Sequence, residues 1–118
     1  MNPEDHINIK ALDERLGGDF SFFKELAGLF LSDSPRLLSA IEEAVKGGNG
    51  EKIGKTAHTM KGAVANFSAE RAFAAALELE KVGKNNELEK VDDAYKKLAD
   101  EIGRMREALK ILIDKPGF

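Results

Sequence analysis

The C-terminal part of the chain carries the strictest hydrophobic pattern in the sequence. Its apolar positions alternate three and four residues apart without a miss, at Leu88, Val91, Tyr95, Leu98, Ile102, Met105, Leu109 and Leu112. Because an α-helix has about 3.6 residues per turn, this spacing aligns the apolar side chains along one side of a helix. Such a helix is stable only when other helices cover that side, so the pattern predicts a helical domain.

The N-terminal part of the chain predicts two helices. Residues 1–8 are polar and are expected to be extended or frayed. A short helix is expected over residues 9–16, ended by the following glycine pair. A longer helix, capped by Asp19 or Ser21, then carries a broad apolar stripe. Because proline fits the first turn of a helix but not its interior, we expect this helix to kink or restart at Pro35.

Two further helices are predicted in the middle of the chain, over residues 51–67 and 69–82. Ser68 is a plausible cap for the second of them, and Gly83 is expected to end it. Four substantial helices joined by short turns predict an all-α fold, namely an antiparallel four-helix bundle with a short additional N-terminal helix. We expect residues 1–118 to form a single domain of this kind.

Composition excludes several classes of function. The chain has no cysteine, which rules out disulfides and thiolate metal sites, and its net charge of −3 includes no long basic run that would bind nucleic acid. No apolar stretch reaches the roughly 18 residues of a membrane span, and the N-terminus does not resemble a secretory signal. We therefore expect a monomeric, cytoplasmic protein or fragment that neither binds nucleic acid nor inserts into a membrane.

The third predicted helix has an unusual outward face. Its core-facing side comprises Ile53, Ala57, Met60, Val64 and Phe67. His58 points away from that side toward solvent, and Gly54, Lys61, Gly62 and Ala65 lie three, four or seven residues from it on the same face. Glycine inside a helix costs roughly 1 kcal/mol relative to alanine, so two glycines beside one histidine need a reason.

Several interpretations of His58 compete. A lone exposed histidine is usually an ordinary solvated residue. A metal site would require a second ligand one turn away, where Lys61 and Gly62 stand instead. A general base would require a cleft and an oriented partner, which a convex helix face does not offer. The remaining interpretation is a nucleophile that a macromolecular partner approaches closely, with Lys61 offsetting added phosphoryl charge and the small residues providing access.

The segment from Ala57 to Ala69 resembles the signature of the histidine-containing phosphotransfer (HPt) domains of two-component phosphorelays, and reads AHTMKGAVANFSA. The similarity extends over most of the chain, with small departures at Met60, where leucine is commoner, and at Ser68, where glycine is usual. The resemblance implies a four-helix bundle with His58 as the phosphoacceptor. It also implies that Lys61 balances phosphoryl charge and that Gly62 gives the partner access.

Glu80 stands on an otherwise apolar side of the fourth predicted helix, where a carboxylate needs a partner. In HPt domains a glutamine or glutamate at this offset contacts the imidazole, which would fix the tautomer of His58. The alternative is an edge position paired with a lysine such as Lys61. On the preceding helix, Phe22 and Leu29 fall at the edge of the core stripe, and we expect them to help bind a partner unless they are simply core rim.

The sequence thus predicts a phosphorelay intermediate, with response-regulator receiver domains and a sensor histidine kinase as partners. His58 would accept a phosphoryl group from a phosphoaspartate of one receiver and pass it to another. No nucleotide-binding loop or acidic metal cluster is evident, so the receiver would supply Mg²⁺ and the protein would not be an enzyme by itself. Two alternatives are the phosphoacceptor domain of a chemotaxis-type histidine kinase and a non-catalytic helical adaptor.

Overall fold

The computed structural model describes residues 1–118 and is all-helical, as predicted. It has five α-helices, α1 (Ile9–Arg15), α2 (Phe20–Gly47), α3 (Gly50–Val64), α4 (Glu70–Lys84) and α5 (Val91–Ile113). Single 3₁₀ turns occur at Pro3–Asp5, Ala65–Phe67 and Leu88–Lys90. Each of the helices α2 and α4 packs against both α3 and α5, and the hydrophobic core lies between the four. No helix is long and apolar enough to cross a membrane.

Short polar side chains define where three of the helices begin. The side chains of Asn8, Asp19 and Asn49 accept hydrogen bonds from backbone N–H groups in the first turns of α1, α2 and α3. These bonds satisfy donors that the helix itself leaves free. Gly48 ends α2 in the left-handed conformation, with φ of 64°, which glycine adopts without steric cost.

The apolar seam of α5 packs into the core as predicted. Val91, Leu98, Ile102, Met105, Leu109 and Leu112 are all at most 3% exposed. Leu88 is the exception, because it lies in the 3₁₀ turn before the helix and is 40% exposed. Tyr95 is only partly buried, and its hydroxyl donates to Glu42 of α2 at 3.2 Å.

The predicted fraying of residues 1–8 is wrong. Pro3–Asp5 forms a 3₁₀ turn packed against α5, and Ile7 is 1% exposed. Burying an isoleucine side chain stabilises a fold by roughly 1.5–3 kcal/mol, which favours an ordered segment. The backbone N–H of Asn8 also donates to the carbonyl of Ser68 at 3.0 Å. The segment therefore closes one end of the domain.

The expected restart of the helix at Pro35 is also wrong, because α2 continues through this residue. A proline inside a helix lacks the N–H that would bond the carbonyl four residues earlier. Here that carbonyl belongs to Leu31, and it accepts a hydrogen bond of 2.7 Å from the guanidinium of Arg106 on α5. Arg106 also donates to the hydroxyl of Ser34, which is fully buried. A side chain from another helix thus replaces the missing backbone donor.

Helices α3 and α4 are in contact along three glycines. A Cβ atom at Gly83 would lie 2.8 Å from the amide nitrogen of Gly54 and 3.0 Å from the carbonyl oxygen of Gly50. Gly83 does not end α4, as the sequence had suggested, but lets its backbone touch that of α3. Helix α4 ends instead at Lys84, and Ser68, which adopts φ of 53°, is not its cap. The position of α4 relative to α3 therefore depends on these glycines.

We predict that Gly83→Ala lowers the free energy of unfolding by about 1–3 kcal/mol, because the added methyl group meets backbone atoms that cannot move aside. Gly103→Ala on α5 is the matched control, since a Cβ there meets nothing within 4 Å. It should instead stabilise the protein by about 0.5–1 kcal/mol through helix propensity. Urea unfolding followed by circular dichroism measures both, and equal stability of the two variants would contradict the close contact.

Candidate functional site

His58 lies on the outer surface of α3. Its side chain is 62% exposed, whereas Ile53, Ala57, Met60 and Val64 on the opposite side of the helix are fully buried. This arrangement follows from the helical spacing of the apolar residues. The imidazole is therefore accessible from solvent while its helix is firmly held in the core.

Glu80 reaches His58 from α4. The carboxylate oxygen Oε2 lies 2.8 Å from Nδ1 of the imidazole, and the Glu80 side chain is only 6% exposed. The same carboxylate contacts two ammonium groups, with Lys61 Nζ 2.7 Å from Oε1 and Lys84 Nζ 2.7 Å from Oε2. The Lys61 contact is an ion pair that departs from hydrogen-bond geometry, since no aligned hydrogen bond reaches Oε1. Both sequence-based interpretations of Glu80 thus hold at once, because it touches His58 and a lysine.

The Glu80 carboxyl group is ionised throughout the physiological pH range. Burial raises its pKa, but the contacts with Lys61, Lys84 and His58, together with the charge of Lys61, outweigh burial and lower the pKa to about 2. An ionised carboxylate can only accept hydrogen bonds, so the contact with Nδ1 assigns a proton to that nitrogen. In the neutral imidazole the lone pair is then on Nε2, which is the nucleophilic nitrogen.

Lys61 lies beside the site but is not fully exposed. Its side chain is 20% exposed, and its ammonium nitrogen is 5.9 Å from the centre of the Phe73 ring, within the range of a cation–π interaction. Lys84 is more exposed, at 58%. Sequence reasoning missed Lys84, although its position four residues after Glu80 on one helix is the spacing of a favourable ion pair.

The small residues around His58 divide into two groups. A Cβ atom at Gly62 would meet nothing within 4 Å, and Ala65 is exposed at the end of α3. Gly54, in contrast, is buried, and a Cβ there would lie 2.8 Å from Cγ of Lys84. The prediction that Gly54 provides partner access is therefore wrong. Helical spacing correctly placed Gly54 on the same face as His58, but it could not show that α4 covers Gly54.

Phe22 and Leu29 are both exposed on α2, at 45% and 63% respectively. They are seven residues apart, which places them on the same side of the helix. Leu29 also lines a shallow groove of about 170 Å³ together with Ala63 of α3 and Asn66 of the 3₁₀ turn that follows it. Phe22 and Leu29 therefore form an apolar strip on α2, which borders the C-terminal end of α3 at Leu29.

A family model described as the Hpt domain matches residues 25–108. The chain belongs to the Hpt domain family. Members of this family are phosphotransfer carriers rather than classical enzymes, and they interact with receiver domains and kinases in two-component relays. Membership supports a histidine phosphotransfer role in phosphorelays for this Hpt domain.

The fold of this Hpt domain is shared with a protein of known structure. It is similar to the crystal structure of histidine-containing phosphotransfer protein B (HptB) from Pseudomonas aeruginosa PAO1, with a TM-score of 0.83 and 23% sequence identity. The match covers 90% of this chain and 92% of that chain. No curated protein sequence gave a significant match.

No group of three or more histidine, cysteine, aspartate or glutamate side chains in the Hpt domain is arranged to hold a metal ion. The charged groups next to His58 are one carboxylate and two ammonium groups. Both oxygens of the carboxylate are already in contact with the ammonium groups. The site therefore presents an accessible, hydrogen-bonded imidazole with a net positive charge beside it. Such a surface favours an incoming anion.

The lowered pKa of Glu80 predicts a specific pH dependence of stability. Because the folded-state pKa of about 2 lies below the ordinary value of 4.5, the ionised carboxylate stabilises the fold above about pH 4.5. This contribution should disappear as the pH falls from 4.5 toward 2. Urea unfolding of the wild-type protein and of Glu80→Gln across this range measures it. The difference in unfolding free energy between them should shrink over that window, and a constant difference would contradict the assignment.

Proposed function

We propose that this chain is a phosphorelay intermediate in which His58 accepts a phosphoryl group from a phosphoaspartate of one receiver domain and transfers it to an aspartate of another. The observation that carries the proposal is the hydrogen bond between Nδ1 of His58 and the buried Glu80 carboxylate at 2.8 Å. It leaves Nε2 as the free nitrogen on an imidazole that is 62% exposed. A receiver domain can bring a phosphoaspartate up to such a surface.

The transfer step requires little of this chain beyond orientation. The Nε2 lone pair attacks phosphorus, the Nε2–P bond forms, and the P–O bond to the aspartate breaks, its electron pair going to the leaving carboxylate. The proton stays on Nδ1, and the ring gains positive charge as Nε2 becomes bonded. Glu80 stabilises that charge through its hydrogen bond, because a hydrogen bond to an ionised acceptor becomes stronger when the donor is also charged. The return transfer to a second receiver reverses the same bonds.

The choice of His58 over the other histidine has independent support. His6 lies outside residues 25–108, which match the Hpt family model, and it is 9% exposed in the N-terminal turn. His58 lies inside the matched residues and on the surface. Only His58 therefore combines family context with access for a macromolecular partner.

We propose that the partner receiver supplies Mg²⁺ and that this chain binds no nucleotide. The two lysines at Glu80 repel a metal cation, and both oxygens of the carboxylate are already engaged. Positive charge beside His58 suits the anionic phosphoryl group, so positive charge from the Hpt side and Mg²⁺ from the receiver side would enclose it.

We propose that the partner docks over α3 and the adjoining strip of α2. Gly62 and Ala65 would allow the partner's backbone to approach the imidazole, and Phe22 and Leu29 would provide apolar contact beside it. Exposed apolar side chains on one side of a helix are typical of interaction surfaces. This surface would serve both the donating and the accepting receiver.

The bundle that carries this surface is proposed to be antiparallel. Gly50 at the start of α3 contacts Gly83 near the end of α4, and Tyr95 early in α5 contacts Glu42 late in α2. These pairings match helices that run in opposite directions and are joined by short turns. We further propose that the domain acts as a monomer in the cytoplasm, where receiver domains would reach it.

A second candidate is the phosphoacceptor domain of a histidine kinase, which is favoured by the carboxylate, rather than an amide, at residue 80. ATP-dependent labelling of His58 by a kinase domain, with no exchange with any receiver, would decide for it. The helical-adaptor alternative required His58 to be buried and both neighbouring glycines to be packed. His58 is exposed and Gly62 is open, so only Gly54 meets that condition.

We predict that a receiver carrying a labelled phosphoaspartate transfers label to the wild-type protein and to His6→Gln, but not to His58→Gln. The His58 side chain is largely exposed, so its substitution should leave the circular dichroism spectrum unchanged. His6→Gln is the matched control because it removes the only other histidine. Label on the His58→Gln variant would overturn the proposed function.

We predict that Gly62→Gln slows phosphoryl transfer at least tenfold without loss of stability. The space around Gly62 is open, so the new side chain should obstruct the partner rather than the fold. Gly103→Gln is the matched control, because that glycine is also helical and open but lies on α5. Rapid mixing with a phosphorylated receiver, followed by quenching, gives the rates of phosphoryl transfer. An unchanged rate for Gly62→Gln would show that the partner docks elsewhere.

A further inference from the structure

The two lysines at Glu80 are held differently. Lys61 is 20% exposed and is the only group in contact with Oε1 of the carboxylate. Its ammonium also faces the ring of Phe73, at 5.9 Å from the centroid. Lys84 is 58% exposed and shares Oε2 with Nδ1 of His58. The carboxylate thus has one oxygen with a single partner and one oxygen with two.

This difference decides which lysine is able to leave. If Lys61 moved away, Oε1 would remain buried without any partner, and a buried ionised oxygen without a partner is strongly unfavourable. If Lys84 moved away, Oε2 would still accept the hydrogen bond from His58. The exposed stem of Lys84 also loses little packing when its ammonium swings outward. Lys84 is therefore the less constrained cation and Lys61 the more constrained one.

The stem of the Lys84 side chain lies over Gly54. A Cβ atom at Gly54 would lie 2.8 Å from Cγ of Lys84, so a larger residue at this position would displace the Lys84 stem. Gly54 is four residues before His58, on the same side of α3. Because the ammonium of Lys84 and Nδ1 of His58 contact the same oxygen, they lie within two hydrogen-bond lengths of each other.

We propose that Lys84, rather than Lys61, is the cation that binds the phosphoryl group on His58, and that Gly54 exists to admit its side chain. The inference rests on the phosphocarrier function proposed above. When the phosphoryl group forms on Nε2, it adds nearly two negative charges beside Glu80. Lys84 leaves Oε2 and pairs with the phosphoryl oxygens, while Lys61 stays on Oε1 and keeps the carboxylate in place. Lys61 is then a positioning residue.

The test uses phosphoramidate, which phosphorylates histidine without a receiver. The Nε2–P bond forms as the P–N bond of the reagent breaks and ammonia leaves. The readout is the ³¹P chemical shift of phosphorylated His58 as a function of pH, whose midpoint reports ionisation of the phosphoryl group. A bound ammonium favours the more negative form, so Lys84→Gln should raise this midpoint by roughly 0.5–1 pH unit. Lys84→Arg should keep the wild-type value.

Two further variants separate this role from a structural one. Gly54→Ala keeps every charge but displaces the Lys84 stem, so it should raise the midpoint in the same direction as Lys84→Gln. Lys55→Gln is the matched control, because Lys55 is one turn from His58 but pairs with Glu51, and it should leave the midpoint within about 0.2 unit. A wild-type midpoint in Lys84→Gln, or an equal shift in Lys55→Gln, would overturn the proposal.

Lys61→Gln completes the experiment. It should lower the unfolding free energy and shift the midpoint less than Lys84→Gln does, whereas a larger shift would return the phosphoryl contact to Lys61. If this variant does not fold, Lys84→Gln and Gly54→Ala still decide the question. Because phosphoramidate bypasses the receiver, a failed receiver assay would count against the relay function and leave the Lys84 measurement interpretable.

Discussion

The close approach of α3 and α4 is the constraint on which the site depends. Gly83 touches the backbone of α3 at Gly50 and Gly54, and a methyl group on Gly83 would come within 3.0 Å of atoms of that backbone. Helices with ordinary side chains at their contact are 8–10 Å apart, and small residues allow a shorter distance. At the distance that these glycines set, a side chain as short as that of glutamate spans from α4 to an imidazole on α3. The same contact that stabilises the bundle therefore assembles the site.

The buried carboxylate of Glu80 spans this short distance and orients the imidazole of His58. Removing a charge from water is unfavourable, and it is tolerated here because two ammonium groups and an imidazole surround it. In return the carboxylate fixes the ring of His58 and assigns its proton to Nδ1, so the nucleophilic nitrogen is defined before any partner arrives. The arrangement is preorganised for the proposed transfer, in which neither the tautomer nor the ring orientation would have to change.

Much of the fold follows from local pattern, and the departures each have a cause distant in sequence. The seam of α5, the starts of α1 to α3 and the inward side of α3 could be predicted, because helical period and capping act within a few residues. Helix α2 passes through Pro35 because Arg106, on another helix, donates to the carbonyl of Leu31. The N-terminal segment is ordered because Ile7 enters a core that other helices build. Neither segment contains a local sequence pattern that would predict these contacts with distant residues.

The sequence by itself determined the helical class, the exposed histidine and its resemblance to an Hpt domain, because these depend on residue types at fixed spacing along one helix. The tertiary structure decided what each neighbour of His58 does. Two glycines equally spaced from His58 have different roles, since α4 covers Gly54 and leaves Gly62 open. Two lysines likewise differ, since Lys61 is mostly buried with its ammonium over the Phe73 ring and Lys84 lies on the surface. A helical wheel gives direction around one axis, whereas burial and partner choice depend on what the second helix brings to that face.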